Sequence, residues 1–288
     1  MSAPTVRRRR LGTKLRALRD GRGLTLEDVA EKSASTERPL TIAKLSRLET
    51  ARSAAKPDDI GHLLDLYEVT DDELRTALLA LTREGGQRGW WQSYRGVLSP
   101  VYEDLISLEA EATSIRAWQL GIIPGLLQTA EYAREIITAT AMSEAVETRI
   151  DALVEVRLAR QAVLTRERPV DLWAIIAEDV LRARCTGDGV MREQLARLHS
   201  LGRRPNVNIQ ILPTGSPPHV GQMGTYSVLS FEDHDDLDVV HAESLTSALY
   251  VEDRKQVDVY RAAFERLRAT ALPVEASADR IAEIREHG

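Results

Sequence analysis

The sequence predicts two domains of different fold class: a mainly α domain of five helices, and an α+β domain with a small sheet. Three observations support this. Apolar residues recur at helical spacing through residues 11–81, residues 85–89 are rich in glycine, and residues 207–212 alternate apolar and polar side chains as a strand does. The expected bounds are 1–84 for the first domain, 85–89 for a linker, 90–273 for the second domain and 274–288 for a peripheral helix.

Composition is that of a globular chain, with 43% of residues hydrophobic and 28% charged. No apolar run approaches the ~20 residues that span a bilayer. The first residues lack the apolar core of a secretory signal. The single cysteine, Cys185, cannot form an intrachain disulfide and suits a reducing compartment. We therefore expect a cytoplasmic protein.

Charge is distributed unevenly along the chain. The net charge is −6, yet residues 1–56 contain 14 Lys and Arg against 6 Asp and Glu, which leaves −14 for the remainder. A basic segment on an acidic body is typical of a nucleic-acid-binding module. Half of the basic excess comes from Arg7–Arg10. These residues either form an arm along phosphates or in a minor groove, or a disordered tail loosely attracted to DNA.

Three helices of the first domain follow from apolar stripes. One covers residues 11–18 and ends near Gly21. Another begins at Pro57, a favourable first helical residue, and carries its stripe over residues 60–67. The last covers residues 70–81. Together with the two helices described next, they make a five-helix domain.

A pair of short helices lies between them, and the rest of the chain is organised around this pair. Thr25 is a good N-cap for a helix over residues 25–33, and Asp28 can complete a shortened capping box. The second helix covers residues 41–50, and the small Ala30 permits a close crossing. This is the build of a helix-turn-helix, whose second helix enters the major groove of DNA. The alternative is a plain helical hairpin without a nucleic-acid partner.

The segments LTLEDVA, KLSRLET and KPDDIGHLLDLY resemble the repressor-type helix-turn-helix of the phage-repressor and Cro (XRE) superfamily. The resemblance implies a DNA-binding regulator, with groove-facing positions on the second helix and phosphate-contacting positions beside it. The implied groove-facing residues are Thr41, Ile42, Ala43 and Arg47, with Lys44 close by. The implied phosphate-contacting residues are Thr25, Arg52 and Lys56.

Two departures from that family bear on docking. The family ends its second helix with a glutamate, matched by Glu49, and then has a polar residue and a glycine, where this chain has Thr50 and Ala51. The turn at 34–40 is longer than the family's by about five residues. We expect the long turn to affect how the second helix docks.

The second domain begins with the aromatic cluster Trp90–Tyr94, which either binds a ligand or base or anchors the linker. A helix with an apolar stripe over 98–115 is predicted to follow, and a long helix is predicted over 143–166. The stripes at 98–115 and 146–158 form core or a dimer face. A shorter helix over 129–140 lies between them. The predicted strands, in a sheet of three to five, are 170–176, 207–212, 225–231 and 237–240. Further helices are expected near 191–198 and 257–267, and a last one capped by Ser277.

The segments LEAEATSIRAWQLGIIPGLLQTAEYAR, RLARQAVLTRE, EQLARLHSL and NVNIQILP, with the final ALP, carry a second resemblance. They resemble a C-terminal domain of unknown function (DUF5753) that follows a helix-turn-helix in many actinobacterial regulators, some described as antitoxin-like. The resemblance covers residues 90–273. It implies a regulator whose second half serves regulation or partner binding.

An enzyme or metal site has weak support. His219, His234 and His241 lie in the sequence near a run of aspartates, but no pair has the spacing of helix-borne ligands. Glu178 and Asp179 follow a predicted strand, and Cys185 has no flanking histidine or basic helix end that would mark it as a nucleophile. We expect no enzymatic activity, no cofactor and no metal.

Two interpretations of the second domain remain open. It either senses a small ligand and shifts DNA affinity, or it binds a small protein partner as the antitoxin-like resemblance implies. One recognition helix reads only a few base pairs, so a homodimer on an operator of two half-sites is expected. The expected function is a DNA-binding transcriptional regulator; the alternative is an antitoxin-like protein that neutralises a small protein partner.

Overall fold

A computed structural model describes residues 5–82, 90–94, 96–231, 237–244 and 247–287. The predicted linker at 85–89 and His234 lie outside the described residues. The chain divides into two compact units. Unit 1 contains the described residues up to 82, with Phe231, Leu237, Asp238 and Glu252–Arg254. Unit 2 contains the other described residues.

Unit 1 contains the five helices that the sequence predicts. They are α1 (Val6–Gly21), α2 (Leu26–Ala34), α3 (Ile42–Glu49), α4 (Pro57–Leu66) and α5 (Asp72–Thr82). Their apolar stripes meet in one core, where side chains from every helix are buried. Among the most deeply buried are Leu15, Val29, Leu45, Ile60, Leu64 and Leu78. Helix packing of this kind stabilises helices that would be too short to persist alone in water.

Unit 2 is an α+β structure around a six-stranded sheet. The strands are β1 (Ser114–Gln119), β2 (Asp171–Ala177), β3 (Val207–Leu212), β4 (Tyr226–Ser230), β5 (Val239–Glu243) and β6 (Ala248–Val251). Their order is β3-β2-β1-β4-β5-β6, parallel among β1, β2 and β3 and antiparallel elsewhere. The helices are α6 (Pro100–Glu111), α7 (Ala130–Thr140), α8 (Glu144–Glu147), α9 (Ile150–Arg160), α10 (Glu178–Leu181), α11 (Val190–Leu201), α12 (Arg254–Thr270) and α13 (Val274–His287).

The sheet is larger than predicted, because β1 and β6 were missed. Ile115 was assigned to a helical stripe but lies in β1, where its backbone partners are Leu172 of β2 and Leu229 of β4. A short apolar run satisfies helical and strand spacing equally well. Pairing with two strands distant in sequence decides the outcome here.

The stripe at 98–115, expected to form core or a dimer face, is mostly buried, whereas most of the stripe at 146–158 is only partly buried. Leu105 and Leu108 of α6 and Val154 of α9 are buried. The long helix predicted over 143–166 is divided into α8, α9 and a short 3-10 segment, since Arg149 (φ −123°, ψ 11°) departs from helical geometry. In α9, Val156 is buried, whereas Leu158, which was expected to face inward, is 36% exposed.

The last helix, α13, is part of the core of unit 2 rather than peripheral. Ile281 and Ile284 are buried. Ser277, expected to be its N-cap, lies one turn inside the helix, where its Oγ accepts a hydrogen bond from the backbone N–H of Ile211 at 2.9 Å. Because β3 is an edge strand, this bond satisfies a donor that the sheet leaves open and covers the edge.

Within the described residues, no helix combines the length and the apolar character needed to cross a bilayer.

Candidate nucleic-acid interface

Helix α2 begins with the capping box that the sequence predicts. The Thr25 hydroxyl accepts a hydrogen bond from the Asp28 N–H at 3.1 Å, and the Asp28 carboxylate accepts one from the Thr25 N–H at 2.8 Å. The bond from the Thr25 N–H, together with one from the Thr25 hydroxyl, holds the pKa of Asp28 below its ordinary value. The same carboxylate accepts a bond from the Thr25 hydroxyl at 2.7 Å. Thr25, an expected phosphate contact, is exposed, but its hydroxyl is already engaged in the cap.

The long turn between α2 and α3 is closed by a buried serine. The Ser33 hydroxyl accepts a hydrogen bond from the Leu40 N–H at 2.9 Å and donates to the Ala30 carbonyl oxygen at 2.9 Å. Leu40 is 3% exposed and packs in the core of unit 1. Leu40 and Ser33 thus bring the two ends of the turn together. The extra residues project outward, where Arg38 pairs with Asp58 at 2.8 Å.

Helix α3 crosses α1 at a glycine. A Cβ atom at Gly12 would lie 2.6 Å from the Glu49 carbonyl oxygen and 2.8 Å from that of Leu48. Such distances are far below van der Waals contact, so only glycine permits this approach. The last turn of α3 therefore lies directly against α1.

A buried ion pair fixes the same end of α3. Arg19 donates two hydrogen bonds to the Glu49 carboxylate, at 2.6 and 2.8 Å, and a third to the Leu24 carbonyl oxygen at 2.7 Å. The two side chains of the pair are 10% and 8% exposed. The carboxylate raises the pKa of Arg19, whose positive charge persists at all ordinary pH values. Glu49, matched to the family's terminal glutamate, is therefore a structural residue.

The opposite face of α3 is open to solvent. Ala43 and Arg47 are exposed, and Ile42 is 43% exposed, whereas Leu45 and Leu48 are buried. Thr41 caps the helix by accepting a hydrogen bond from the Lys44 N–H at 3.2 Å. The Arg47 side chain makes no hydrogen bond or ion pair with the described part of the chain. The expected groove-facing residues thus share one accessible face.

Lys44 differs from its expected role. Its ammonium lies 2.8 Å from the carboxylate of Asp59 on α4, and its side chain is 37% exposed while that of Asp59 is 9% exposed. Much of its charge is therefore compensated within unit 1. The sequence contains no sign of the role of Asp59. It lies in the first turn of α4 beside Asp58, where acidic residues are favourable whether or not they are buried.

The end of α3 keeps its usual geometry without glycine. Ala51 adopts the left-handed conformation, with φ 58°. Its N–H donates to the Leu48 carbonyl oxygen at 3.1 Å, and the Arg52 N–H donates to that of Arg47 at 2.8 Å. This is the pattern that a C-terminal glycine normally supports. It places Arg52 just beyond α3, and both Arg52 and Lys56 are exposed.

The four-arginine segment is not an arm. Arg7–Arg10 lie on α1, which begins at Val6 and is capped by Thr5. Arg10 is 3% exposed, donates a hydrogen bond from Nε to the Leu237 carbonyl oxygen at 3.0 Å, and places its guanidinium 3.7 Å from the centre of the Phe231 ring. Arg10 is therefore withdrawn from any contact with phosphates.

The candidates for a metal or catalytic site have separate partners. His219 packs edge-on against Trp118, with ring centres 5.7 Å apart. His241 lies on β5 beside Tyr250, with ring centres 5.0 Å apart. Glu178 accepts hydrogen bonds from Arg182 and Arg280. Each group thus has a local structural role in unit 2.

Comparison with known families agrees with this division of the chain. Residues 10–78, which include α2 and α3, match a family described as a helix-turn-helix domain. Residues 102–283 match a family described as a domain of unknown function, DUF5753. No curated protein matches the chain. Because the second match covers more than half of the 288 residues, the chain belongs to the DUF5753 family and carries a helix-turn-helix domain ahead of it.

Proposed function

We propose that the protein is a sequence-specific transcriptional regulator that places α3 in the major groove of DNA. The observation that carries this proposal is the two-sided character of α3. Leu45 and Leu48 anchor one face in the core, while Ile42, Ala43 and Arg47 form an accessible face. A helix held in this way presents its outer side chains to base edges.

Within this interface we assign different roles to two arginines. Arg47 is central on the accessible face, and an arginine there can donate two hydrogen bonds to a guanine, worth ~1–3 kcal/mol of discrimination. Arg52 follows the helix, and its exposure supports a role in phosphate contact. Lys56 lies beside it in sequence, whereas Lys44 is held by Asp59 and contributes less.

The test begins with selection of an operator from random double-stranded DNA by the full chain. Arg47→Ala should relax specificity at one position in each half-site. Arg52→Ala should weaken all sequences alike and lower the salt dependence by about one phosphate. Arg192→Ala, which removes an exposed charge on α11, is the matched control and should change neither. If only the Arg52 variant lost specificity, the register proposed for α3 on the DNA would be wrong.

We also propose that the protein binds its operator as a homodimer. A single helix in the major groove reads a few base pairs, so repressor-type domains gain specificity by pairing on two half-sites about one helical turn apart. Sedimentation at micromolar concentration should show twice 32.1 kDa. A monomer that protects two adjacent half-sites would contradict this expectation.

Unit 2 is proposed to modulate DNA binding through a small ligand or a protein partner, without catalysis. The alternative function is antitoxin-like neutralisation of a small protein, which the −14 charge outside residues 1–56 favours if that partner is basic. Native mass spectrometry of the protein from its own host distinguishes a retained small molecule from a retained polypeptide. A retained polypeptide without operator selection would favour the alternative.

A further inference from the structure

Unit 2 contains a cavity of about 490 Å³ on one face of its sheet. Strands β1, β4 and β5 supply its floor, and α6, α9 and the segment Gly125–Leu127 supply its walls. Much of the lining is apolar, including Leu105, Ile115, Leu126 and Ile136. Polar and charged side chains make up a similar share of the lining, and the volume is within the range of small-molecule sites.

Two adjacent positions in the floor of the cavity carry small side chains. Ala117 of β1 is paired with Ser227 of β4, which is paired in turn with His241 of β5. On its other side Ala117 is paired with Ala174 of β2. Central strands usually carry bulky side chains that fill the space beneath the covering helices. The small side chains of Ala117 and Ser227, at adjacent positions of β1 and β4, leave that space open.

The polar groups in the wall leave one cation without an anion. Arg160 donates to both carboxylate oxygens of Glu109, at 2.8 and 2.6 Å, and both side chains are buried. Arg157 instead donates to the Gln128 amide oxygen at 3.0 Å, and its buried Nε has no hydrogen-bond partner in the described part of the chain. Glu243 also lines the cavity but is exposed at the end of β5.

His241 does not change this balance of charge at neutral pH. Burial, with a smaller contribution from the nearby Arg160, lowers the pKa of His241 to about 4. Its ring is therefore neutral at pH 7. Among the described residues of the wall, the unsatisfied donor is thus the buried Nε of Arg157. Leaving such a donor without a partner costs free energy, which an acceptor on a bound ligand would recover.

We propose that this cavity binds a small organic acid, with its apolar part over Ala117 and Ser227 and its carboxylate paired with Arg157. This deepens the proposed function by naming the site and the chemical class of the ligand. It rests on that function only for the consequence that the ligand alters DNA binding. The binding test needs no DNA, so it fails or succeeds independently of operator recognition.

The experiment is calorimetric titration of the full chain with a panel of carboxylates and their primary amides. The probes are octanoate, decanoate, benzoate, naphthoate and cinnamate. We expect at least one acid to bind with a stoichiometry of one per chain, and its amide to bind at least about tenfold more weakly, because a charge-assisted hydrogen bond is lost.

Variants locate the bound acid. Ala117→Leu should abolish binding by filling the floor, with folding checked by circular dichroism. Arg157→Gln should weaken the acid about tenfold while leaving the amide unchanged, and Arg157→Lys should restore part of the affinity. Arg192→Gln, on the exposed surface of α11, is the control of equal charge change.

Three outcomes would overturn the proposal. The first is that no acid of the panel binds. The second is binding that persists in a folded Ala117→Leu protein, which would place the acid outside the cavity. The third is equal affinity of the acid for the wild-type and Arg157→Gln proteins, which would remove the carboxylate contact.

Discussion

At the scale of single residues, two side chains adopt a conformation that usually belongs to glycine. Ala51 (φ 58°) ends α3 and Glu68 (φ 53°) ends α4, and both have the hydrogen-bond pattern of a left-handed C-terminal cap. The left-handed region costs ~1–2 kcal/mol for a residue with a Cβ atom. The rest of unit 1 must therefore stabilise both helix ends against this cost.

Glu68→Gly tests that cost without disturbing the core. The Glu68 side chain is 76% exposed, and its carboxylate lies 2.7 Å from Arg22. Glu68→Ala removes the same ion pair but retains the Cβ atom, so it is the matched control. We expect the glycine variant to be more stable than the alanine variant by about 0.5–1 kcal/mol in free energy of unfolding. This is less than the full cost of the left-handed conformation, because glycine also makes the unfolded chain more flexible. Urea unfolding followed by circular dichroism measures the difference, and equal stability of the two would contradict the argument.

His241 should make the stability of unit 2 depend on pH. Its pKa is about 4 in the folded protein and 6.5 ordinarily, so the unfolded chain binds the proton first as the pH falls. The stabilisation is complete above pH 6.5 and is lost as the pH falls toward 4. For a shift of this size, the free energy of unfolding falls by about 3 kcal/mol in total.

The measurement compares unfolding at pH 7 and pH 4.5 in the wild type and in His241→Gln. All four tryptophans lie between residues 90 and 173, so tryptophan fluorescence reports on unit 2. The variant should show a smaller loss of stability between the two pH values. An equal loss in both proteins would assign the pH dependence to other groups.

At the scale of elements, the crossing of α1 and α3 determines the position of the accessible face of α3. The outward face of α3 is defined by what its inner face touches: Gly12 at one point and Arg19 through Glu49 at another. Ser33 and Leu40 close the long turn without displacing the helix from this contact. The departure in turn length is thus absorbed outside the packed pair.

Gly12→Ala should disrupt this crossing. The new Cβ atom would meet two backbone carbonyl oxygens of α3, which cannot move aside as a side chain can, so α1 and α3 must separate. We expect a loss of about 1–3 kcal/mol of stability and weaker operator binding.

Gly61→Ala on α4 is the control, because a Cβ atom there has nothing within 4 Å. Alanine is favoured over glycine inside a helix by roughly 0.5–1 kcal/mol, so this variant should be neutral or more stable. Circular dichroism and gel shift on both variants check the pair. Gly12→Ala with wild-type stability and affinity would show that the helices have room to adjust.

At the scale of the molecule, unit 1 is not a continuous stretch of sequence. Leu237 is 4% exposed in the same core as Leu11 and Leu15, and Arg10 bonds to its carbonyl oxygen. A fragment of residues 1–84 retains all five helices described in unit 1 but lacks Leu237. It should be helical and bind operator DNA, but more weakly than the full chain because dimer avidity is lost.

The fragment should also be less stable than unit 1 in the full chain by about 2 kcal/mol, the value of burying one leucine side chain. Hydrogen exchange of α1 amides in the two proteins measures this. Leu237→Ala in the full chain is the companion variant and should accelerate exchange in α1. Equal protection in fragment and full chain would show that residues 1–84 are sufficient for the stability of unit 1.

Local sequence determined the helices of unit 1, the cap at Thr25, the accessible face of α3 and the strand at 207–212. Each depends on apolar spacing or on hydrogen bonds between residues a few positions apart, which are legible in the chain itself. The resemblance carried by KLSRLET and KPDDIGHLLDLY added the residues expected to contact DNA. Packing then set Lys44 apart from the others by pairing it with Asp59.

Tertiary structure alone decided the burial of Arg10, the place of β1 in the sheet and the cavity floor. Ala117 and Ser227 meet because β1 pairs with β4 across more than a hundred residues of sequence, and the pairing of β4 with β5 adds His241. Spacing within a strand reveals which side chains share a face, but not which strand lies beside it. Partners distant in sequence are chosen by the fit of whole elements, and that choice created the cavity proposed for a ligand.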